Sequence, residues 1–360
     1  MTLIWLGFAS MCSVPVILGI YLIVLTIYLR KYVRVVVRIF QEKPLFVIPR
    51  GERLSTAEDV SFRASDGRTL RGCYLRGRRP RRGVLLFGVE FGAVRWSCRS
   101  YVEHLLEAGF DVFAYEPRGQ GDSERQPGYE PMQWITDFEV RDARAALAYL
   151  KGRPDADPRG VGLFGISKGG GAGLFAAATD PYVRCCVTDG AFGTFSVLVP
   201  YMRHYFKIYN QRYGMQMILP TWYFAMFGLF GLWQIQRIRR CRFPFLEKQM
   251  MRLRQPLLMI HGEADAYIKP VMARALFDRA AGDEKELWIV PGAKHNQAMH
   301  EVGDEYRKRI LRFFLKHLAG EEEIHHKGIK ETREVKSMTD TVPIEEVQLH
   351  KEAPEQPARV

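Results

Sequence analysis

At 360 residues the chain is long enough for one large domain with attachments, and its 47% hydrophobic and 26% charged residues exclude a fibrous or wholly disordered protein. The formal charge of +12 is uneven: residues 321–360 hold ten acidic and six basic side chains, a net −4, so the preceding 320 residues carry +16. So basic a body suits an anionic membrane surface or nucleic acid, but with no zinc-finger spacing and no RNP-like strand, nucleic acid is not expected as a partner.

The segment Thr2–Leu29 contains no charged side chain. That covers the ~20 residues needed to cross a bilayer. No basic residue precedes it and no small-x-small cleavage site follows it, so an uncleaved anchor is expected rather than a signal peptide. Arg30, Lys31, Arg34, Arg38 and Lys43 all follow the segment. Positive charge stays on the cytoplasmic side, which predicts a single-pass N-terminal anchor with a cytoplasmic body. Arg30, Arg34 and Arg38 would form one basic stripe if the helix continues. Residues 1–40 are accordingly read as anchor and basic juxtamembrane helix.

The body, residues 41–320, reads as alternating strands and helices. Val60–Tyr74 predicts two antiparallel strands around "SDGR". The arginine-rich Gly77–Arg82 reads as a solvated turn. Gly83–Val89 is an apolar strand, Trp96–Ala108 a helix, and Phe110–Glu116 the next strand. Ile135–Leu150 is helical, "GVGLFG" a strand, and Lys168–Ala178 a helix. Cys185–Gly190, Pro256–Gly262 and Glu286–Gly292 are further strands, with a helix between the last two. Val302–Leu318 is a final amphipathic helix. Apolar strands separated by helices predict an α/β protein, a mostly parallel sheet flanked by helices. Ligand sites in such sheets lie beyond the carboxyl ends of the strands. The six cysteines form no C-x-x-C pair and no disulfide framework is expected.

Three residues follow separate apolar runs in the order serine, aspartate, histidine. Ser167 lies in Gly165-Ile166-Ser167-Lys168-Gly169, Asp265 follows "LLMIHGEAD", and His295 follows "ELWIVPGAKH". A tight strand-to-helix turn crowds the residues two before and two after its middle. Glycine there relieves the crowding and leaves the serine hydroxyl exposed. These motifs, with "YEPRGQGDS", "HGEADAYI" and "PGAKHN", resemble those of the α/β-hydrolase-fold serine hydrolases over about Val60–Ala319. The resemblance implies the α/β-hydrolase fold, Ser167 as nucleophile, His295 as base and Asp265 as orienting acid. It implies an oxyanion hole from the backbone N–H groups of Lys168 and Phe91. It implies no metal and no organic cofactor. Many relatives carry His-Gly where this chain has "GVEFGAVRW". An inward Glu90 would oppose an oxyanion, whereas an outward one would pair with an arginine.

Other residues compete for these roles. Asp189 also ends a strand and is the alternative acid. His261 is expected to end a core strand, His300 to be exposed, and His104 and His204 to be structural. Asp122 is expected to brace its turn, and the Lys168 side chain to be solvated or at a rim. Residues 191–255 are read as a cap or lid inserted between two strands. Within it Tyr213–Gln236 has no charge, and Pro220, Gly228 and Gly231 point to a broken helix. A single crossing there would separate Ser167 from Asp265 and His295, so a lid helix, or a hairpin dipping into one leaflet, is expected. Residues 321–360 are charged and expected to be disordered. The reading is a membrane-anchored serine esterase or thioesterase acting on an apolar acyl group. The alternatives are a peptidase or amidase on the same fold, or a non-catalytic scaffold.

Overall fold

The computed structural model describes residues 51–209 and 220–319, with scattered positions between 16 and 38. Most of Thr2–Leu29, residues 210–219 and the tail 321–360 lie outside the described residues. Among those described, no helix is long and apolar enough to cross a membrane.

The predicted hairpin forms as β1 (Glu58–Arg63) and β2 (Thr69–Leu75), antiparallel around a turn with Gly67 at φ 84°. The remaining strands are β3 (Gly83–Gly88), β4 (Phe110–Glu116), β5 (Val161–Ile166), β6 (Val183–Asp189), β7 (Leu257–Gly262) and β8 (Lys285–Val290). They form one eight-stranded sheet in the order β1-β2-β4-β3-β5-β6-β7-β8. From β4 to β8 all pairings are parallel, and β2 joins β4 antiparallel. Every residue of β3, β4, β5 and β7 is buried. Continuous apolar runs do not reveal which side chain faces which layer, but the pleat does. Val84 and Leu86 join the core on one face, Leu85 and Phe87 that on the other.

Helices α2 (Asp137–Gly152) and α3 (Ser167–Ala177) cover the first face. Helices α1 (Cys98–Glu107) and α9 (Gly303–Phe314) cover the second. A capping box starts α2: Thr136 accepts from the Phe138 N–H, and Glu139 accepts from the Thr136 N–H. Between β6 and β7 lie α4 (Thr194–Tyr209), α5 (Thr221–Arg239) and α6 (Leu246–Met250). α7 (Pro270–Phe277) and α8 (Ala298–Glu301) complete the set. A third apolar cluster joins α4 and α5 to Tyr129, Trp134, Phe138 and Ile268.

Two sequence expectations are corrected here. α5 is not broken at Gly228 or Gly231; it runs from Thr221 to Arg239, with Pro220 as its N-cap. Gly228 serves helix contact instead, since a methyl group there would come within 2.6 Å of Leu198 Cγ on α4. The arginines of Gly77–Arg82 are not all solvated either. Arg79 and Arg81 converge on Asp111, whose side chain is wholly buried.

Candidate active site

β5 ends at Ile166 and α3 begins at Ser167. Ser167 has φ 49°, in the left-handed region that a side chain with Cβ seldom adopts. The neighbouring glycines are required by close approach. A methyl group on Gly165 would lie 2.4 Å from Gly170 Cα, and one on Gly169 would lie 2.3 Å from the Val89 oxygen. The turn therefore packs backbone against backbone, and the strain at Ser167 is held by its surroundings. The first-turn N–H groups of α3 have no carbonyl partner within the helix, so this end favours negative charge.

Ser167, Asp265 and His295 come together from the ends of β5, β7 and β8. Ser167 Oγ lies 2.9 Å from His295 Nε2, and His295 Nδ1 lies 2.6 Å from Asp265 Oδ2. All three residues are buried. The second Asp265 oxygen accepts the N–H groups of Tyr267 at 2.8 Å and Ile268 at 2.9 Å. Burial works to raise the Asp265 carboxyl, but the bonds from His295 and the backbone outweigh it and hold the group below the usual carboxylate range. An ionised Asp265 accepts the hydrogen bond from Nδ1–H, which keeps the proton on Nδ1 and leaves the Nε2 lone pair for the serine hydroxyl.

The competing residues make other bonds, although His261 Nε2 comes within 3.5 Å of Asp265 Oδ2. His261 is buried in β7 and donates from Nε2 to the Ile268 carbonyl at 2.6 Å, and burial keeps its ring neutral. Asp189 accepts from the Tyr306 hydroxyl at 3.0 Å. His104 lies on α1, where burial pushes its ring down to about 4. His204 lies on α4, and His300 is exposed on α8. Among the described residues no group of side chains is arranged to hold a metal ion.

Phe91 follows β3, and both it and Ser167 border the same recess. Among the described residues nothing accepts a hydrogen bond from the Phe91 N–H. The loop around it is held by Gln120. Its amide nitrogen donates to the carbonyls of Glu90 at 3.3 Å and Ala93 at 3.4 Å, and its oxygen accepts the Gly92 N–H at 3.1 Å. Glu116 clamps the same region by accepting from the Arg95 backbone at 2.9 Å and guanidinium at 3.0 Å. Asp122 does not brace its own turn through its side chain; that carboxylate accepts from Arg95 at 2.9 Å.

Two side chains contradict the sequence reading. Glu90 is not paired with an arginine. It points inward, accepts from the Tyr101 hydroxyl at 3.3 Å, and burial pushes its carboxyl up to about 7. Lys168 is neither solvated nor at a rim, being 3% exposed. Its ammonium donates to the Met132 carbonyl at 2.6 Å and pairs with buried Glu139 at 2.8 Å. Tyr129 and Thr136 also donate to Glu139, each at 2.7 Å. The elbow is thereby tied to the segment Tyr129–Thr136.

That segment supplies part of the wall. Phe91, Trp134, Phe192, Tyr201, Tyr267 and Ile268 surround Ser167 and His295, with Gln133 as the polar member. The space left beside the serine admits about one water molecule. Sequence reasoning missed Gln120 and Glu139 and left the direction of Glu90 open. The signal for Glu139 was present, since "TDFE" (Thr136–Glu139) is a capping-box pattern just before an apolar run.

The comparisons with known proteins agree with this fold. The family model for the alpha/beta hydrolase fold matches residues 91–227. An Arabidopsis thaliana protein described as alpha/beta hydrolase domain-containing protein WAV2 is 24% identical over 269 residues, covering 72% of this chain and 79% of its own. A thiohydrolase of Eupenicillium brefeldianum is 30% identical over 140 residues, which is 38% of this chain and 44% of that protein. A solved esterase structure from Pyrococcus furiosus superposes with TM-score 0.57 at 19% identity, covering 78% of this chain and 98% of that one. Strand order and these matches converge: the chain has the α/β-hydrolase fold.

Proposed function

We propose that this α/β-hydrolase-fold chain is a membrane-anchored serine hydrolase that cleaves carboxylic esters or thioesters with an apolar acyl part. One observation carries the reading: the hydrogen-bonded series Ser167 Oγ, His295 and Asp265, at 2.9 and 2.6 Å, on a strained elbow. Ser167 attacks the acyl carbonyl while His295 Nε2 takes its proton. Asp265 holds the ring in the tautomer with hydrogen on Nδ1 and stabilises the imidazolium. The Phe91 and Lys168 N–H groups stabilise the oxyanion. His295 then protonates the leaving group, and water, activated by the same ring, releases the acid. The aromatic wall supports an apolar acyl group, and the esterase and thiohydrolase relatives support both ester classes. The site has room for little more than water, so the helices between β6 and β7 act as a lid that must shift to admit an acyl chain.

The uncharged Thr2–Leu29 serves as the single-pass anchor, with residues 41–320 as the cytoplasmic hydrolase domain, 191–255 as its cap, and 321–360 as a charged tail. Two observations support this. Val37, just beyond the anchor, packs against the third apolar cluster. α5 exposes Trp222, Leu229, Phe230 and Trp233, and the Arg237 guanidinium lies over the Trp233 ring at 4.3 Å. Aromatic and basic side chains together suit the bilayer interface.

Fluorophosphonate labelling tests the chemistry. Labelling is expected in the wild type and lost in Ser167→Ala and His295→Ala. A well-folded protein that stays unlabelled, even with lipid vesicles present, would instead favour a non-catalytic scaffold. A panel of ester, thioester and amide substrates of rising acyl length then assigns the bond, and preference for amides would move the reading to a peptidase or amidase. For topology, protease added to intact cells should leave the body uncut; digestion from outside would reverse the orientation.

A further inference from the structure

Behind the elbow, on the α1 and α9 side of the sheet, lie two carboxyl groups that the reaction above does not use. Glu90 is 4% exposed and Asp189 is wholly buried. Each is held by one tyrosine: Tyr101 of α1 donates to Glu90 Oε2 at 3.3 Å, and Tyr306 of α9 donates to Asp189 Oδ2 at 3.0 Å. The other oxygen of each, Glu90 Oε1 and Asp189 Oδ1, is buried with no hydrogen-bond partner among the described residues. Neither acid has an ion-pair partner among the described residues; Arg95, in the loop after β3, is committed to Glu116, Asp59 and Asp122. The groups that act electrostatically on the two acids are each other, Tyr101, Tyr306, His295 and Asp265. Of these only His295 can become cationic, and it lies hydrogen-bonded to Asp265.

Burying two carboxylates with no cation paired to either and with one unsatisfied oxygen on each is strongly unfavourable. Retaining protons removes that cost. The position matters because Glu90 immediately precedes Phe91, and its own carbonyl is bonded by Gln120. An ionised Glu90 would carry a buried negative charge on the residue next to the Phe91 N–H and would oppose an oxyanion formed there, in a water-poor setting where charges act strongly.

We propose that the Glu90 and Asp189 pair is kept protonated at neutral pH, and that neutral Glu90 is a positioning residue that leaves the oxyanion loop free of opposing charge. The second part rests on the hydrolase reading given above; the first does not. Burial pushes both carboxyls up to about 7, consistent with the geometry. The acid alternative Asp189 thus has a different task from Asp265: it keeps a buried proton of its own rather than orienting the histidine.

The test uses the full-length protein in detergent or vesicles, with Glu90→Gln, Asp189→Asn and the double variant. Infrared difference spectra read the proton directly and need no turnover. A protonated-carboxyl C=O band is expected in the wild type at about pH 6, lost in the double variant and fading above neutral pH. Its absence from the wild type would overturn the pair. In the pH profile of kcat/KM, wild-type activity should fall above neutral pH. Glu90→Gln should match the wild type within about twofold near pH 6 and exceed it about tenfold near pH 9. Superimposable profiles would overturn the positioning role, as would a folded Glu90→Gln inactive at every pH. If fluorophosphonate never labels Ser167, the hydrolase reading fails and the positioning role with it, while the infrared band still decides the proton.

Discussion

Replacing Lys168 by methionine keeps the backbone N–H and most of the side-chain volume but removes the ammonium. Glu139, 1% exposed, is then left as a buried carboxylate with hydrogen bonds from Tyr129 and Thr136 but no counter-charge. The Met132 carbonyl also loses its donor. Breaking one side of a buried pair costs about 3–5 kcal/mol, which corresponds to a fall in melting temperature of roughly 6–20 °C. Adding Glu139→Gln should recover most of that loss, because no isolated charge remains inside. pH supplies a second signature. Burial works to raise Glu139, but Lys168 outweighs it and holds the carboxyl below its usual value. A depressed carboxyl contributes stability above its unfolded pKa, about 4.3, and loses it as pH falls through the folded value. The wild type should therefore lose stability towards acid more steeply than the double variant. Thermal melts across pH read both effects. The wall segment hangs on the same bond, so KM for long acyl substrates should rise more in Lys168→Met than KM for short ones. A Lys168→Met melt within about 1 °C of the wild type would refute the claim that this pair holds the wall.

Other perturbations reach the remaining parts of the site. Asp265→Asn keeps the shape but reverses the preferred histidine tautomer, so kcat should fall about 10⁴-fold with little change in melting temperature. A near-normal rate would show that another acid, Asp189 first among them, orients His295. Gln120→Ala removes three bonds from the loop at residues 90–93. It should lower kcat roughly tenfold or more while KM stays near the wild type, checked by steady-state kinetics. Gly169→Ala would drive a methyl group to 2.3 Å from the Val89 oxygen and 2.4 Å from the Gly88 carbonyl carbon. Backbone must move, at a cost of about 1–3 kcal/mol or more, and fluorophosphonate labelling should fail in the soluble fraction. Full labelling would mean that the elbow does not need close packing there.

Much of this protein could be read along the chain. Strands such as Phe110–Glu116 are largely apolar runs bounded by Gly109 and Pro117, so local sequence settles both their type and their limits. The elbow is legible for a related reason: glycine two before a serine answers a local steric demand from Gly170, and glycine two after it lets the turn pack against Val89 of the neighbouring strand end. The order of Ser167, Asp265 and His295 along the chain follows from where a parallel sheet puts its carboxyl ends. Composition and charge distribution also single out Thr2–Leu29 and the acidic tail without any fold.

What tertiary structure alone decided is who meets whom across long separations. Lys168 follows the serine and reads as surface, because nothing nearby in sequence can neutralise it. It becomes interior only because α2 carries Glu139 to within 2.8 Å of its ammonium. Glu90 looks like an outward charge until α1 brings Tyr101 to it and β6 brings Asp189 behind it. Gly228 looks like a helix breaker until α4 packs against it and a side chain would collide with Leu198. The choice between Asp265 and Asp189 has the same character. Both end strands, and only the tertiary placement of His295 and Tyr306 gives one the imidazole and the other a phenol. Local spacing encodes steric and hydrophobic demands that a residue carries wherever it goes. The protonation and partnership of a charged side chain belong to the cavity around it, which does not exist until the chain has folded.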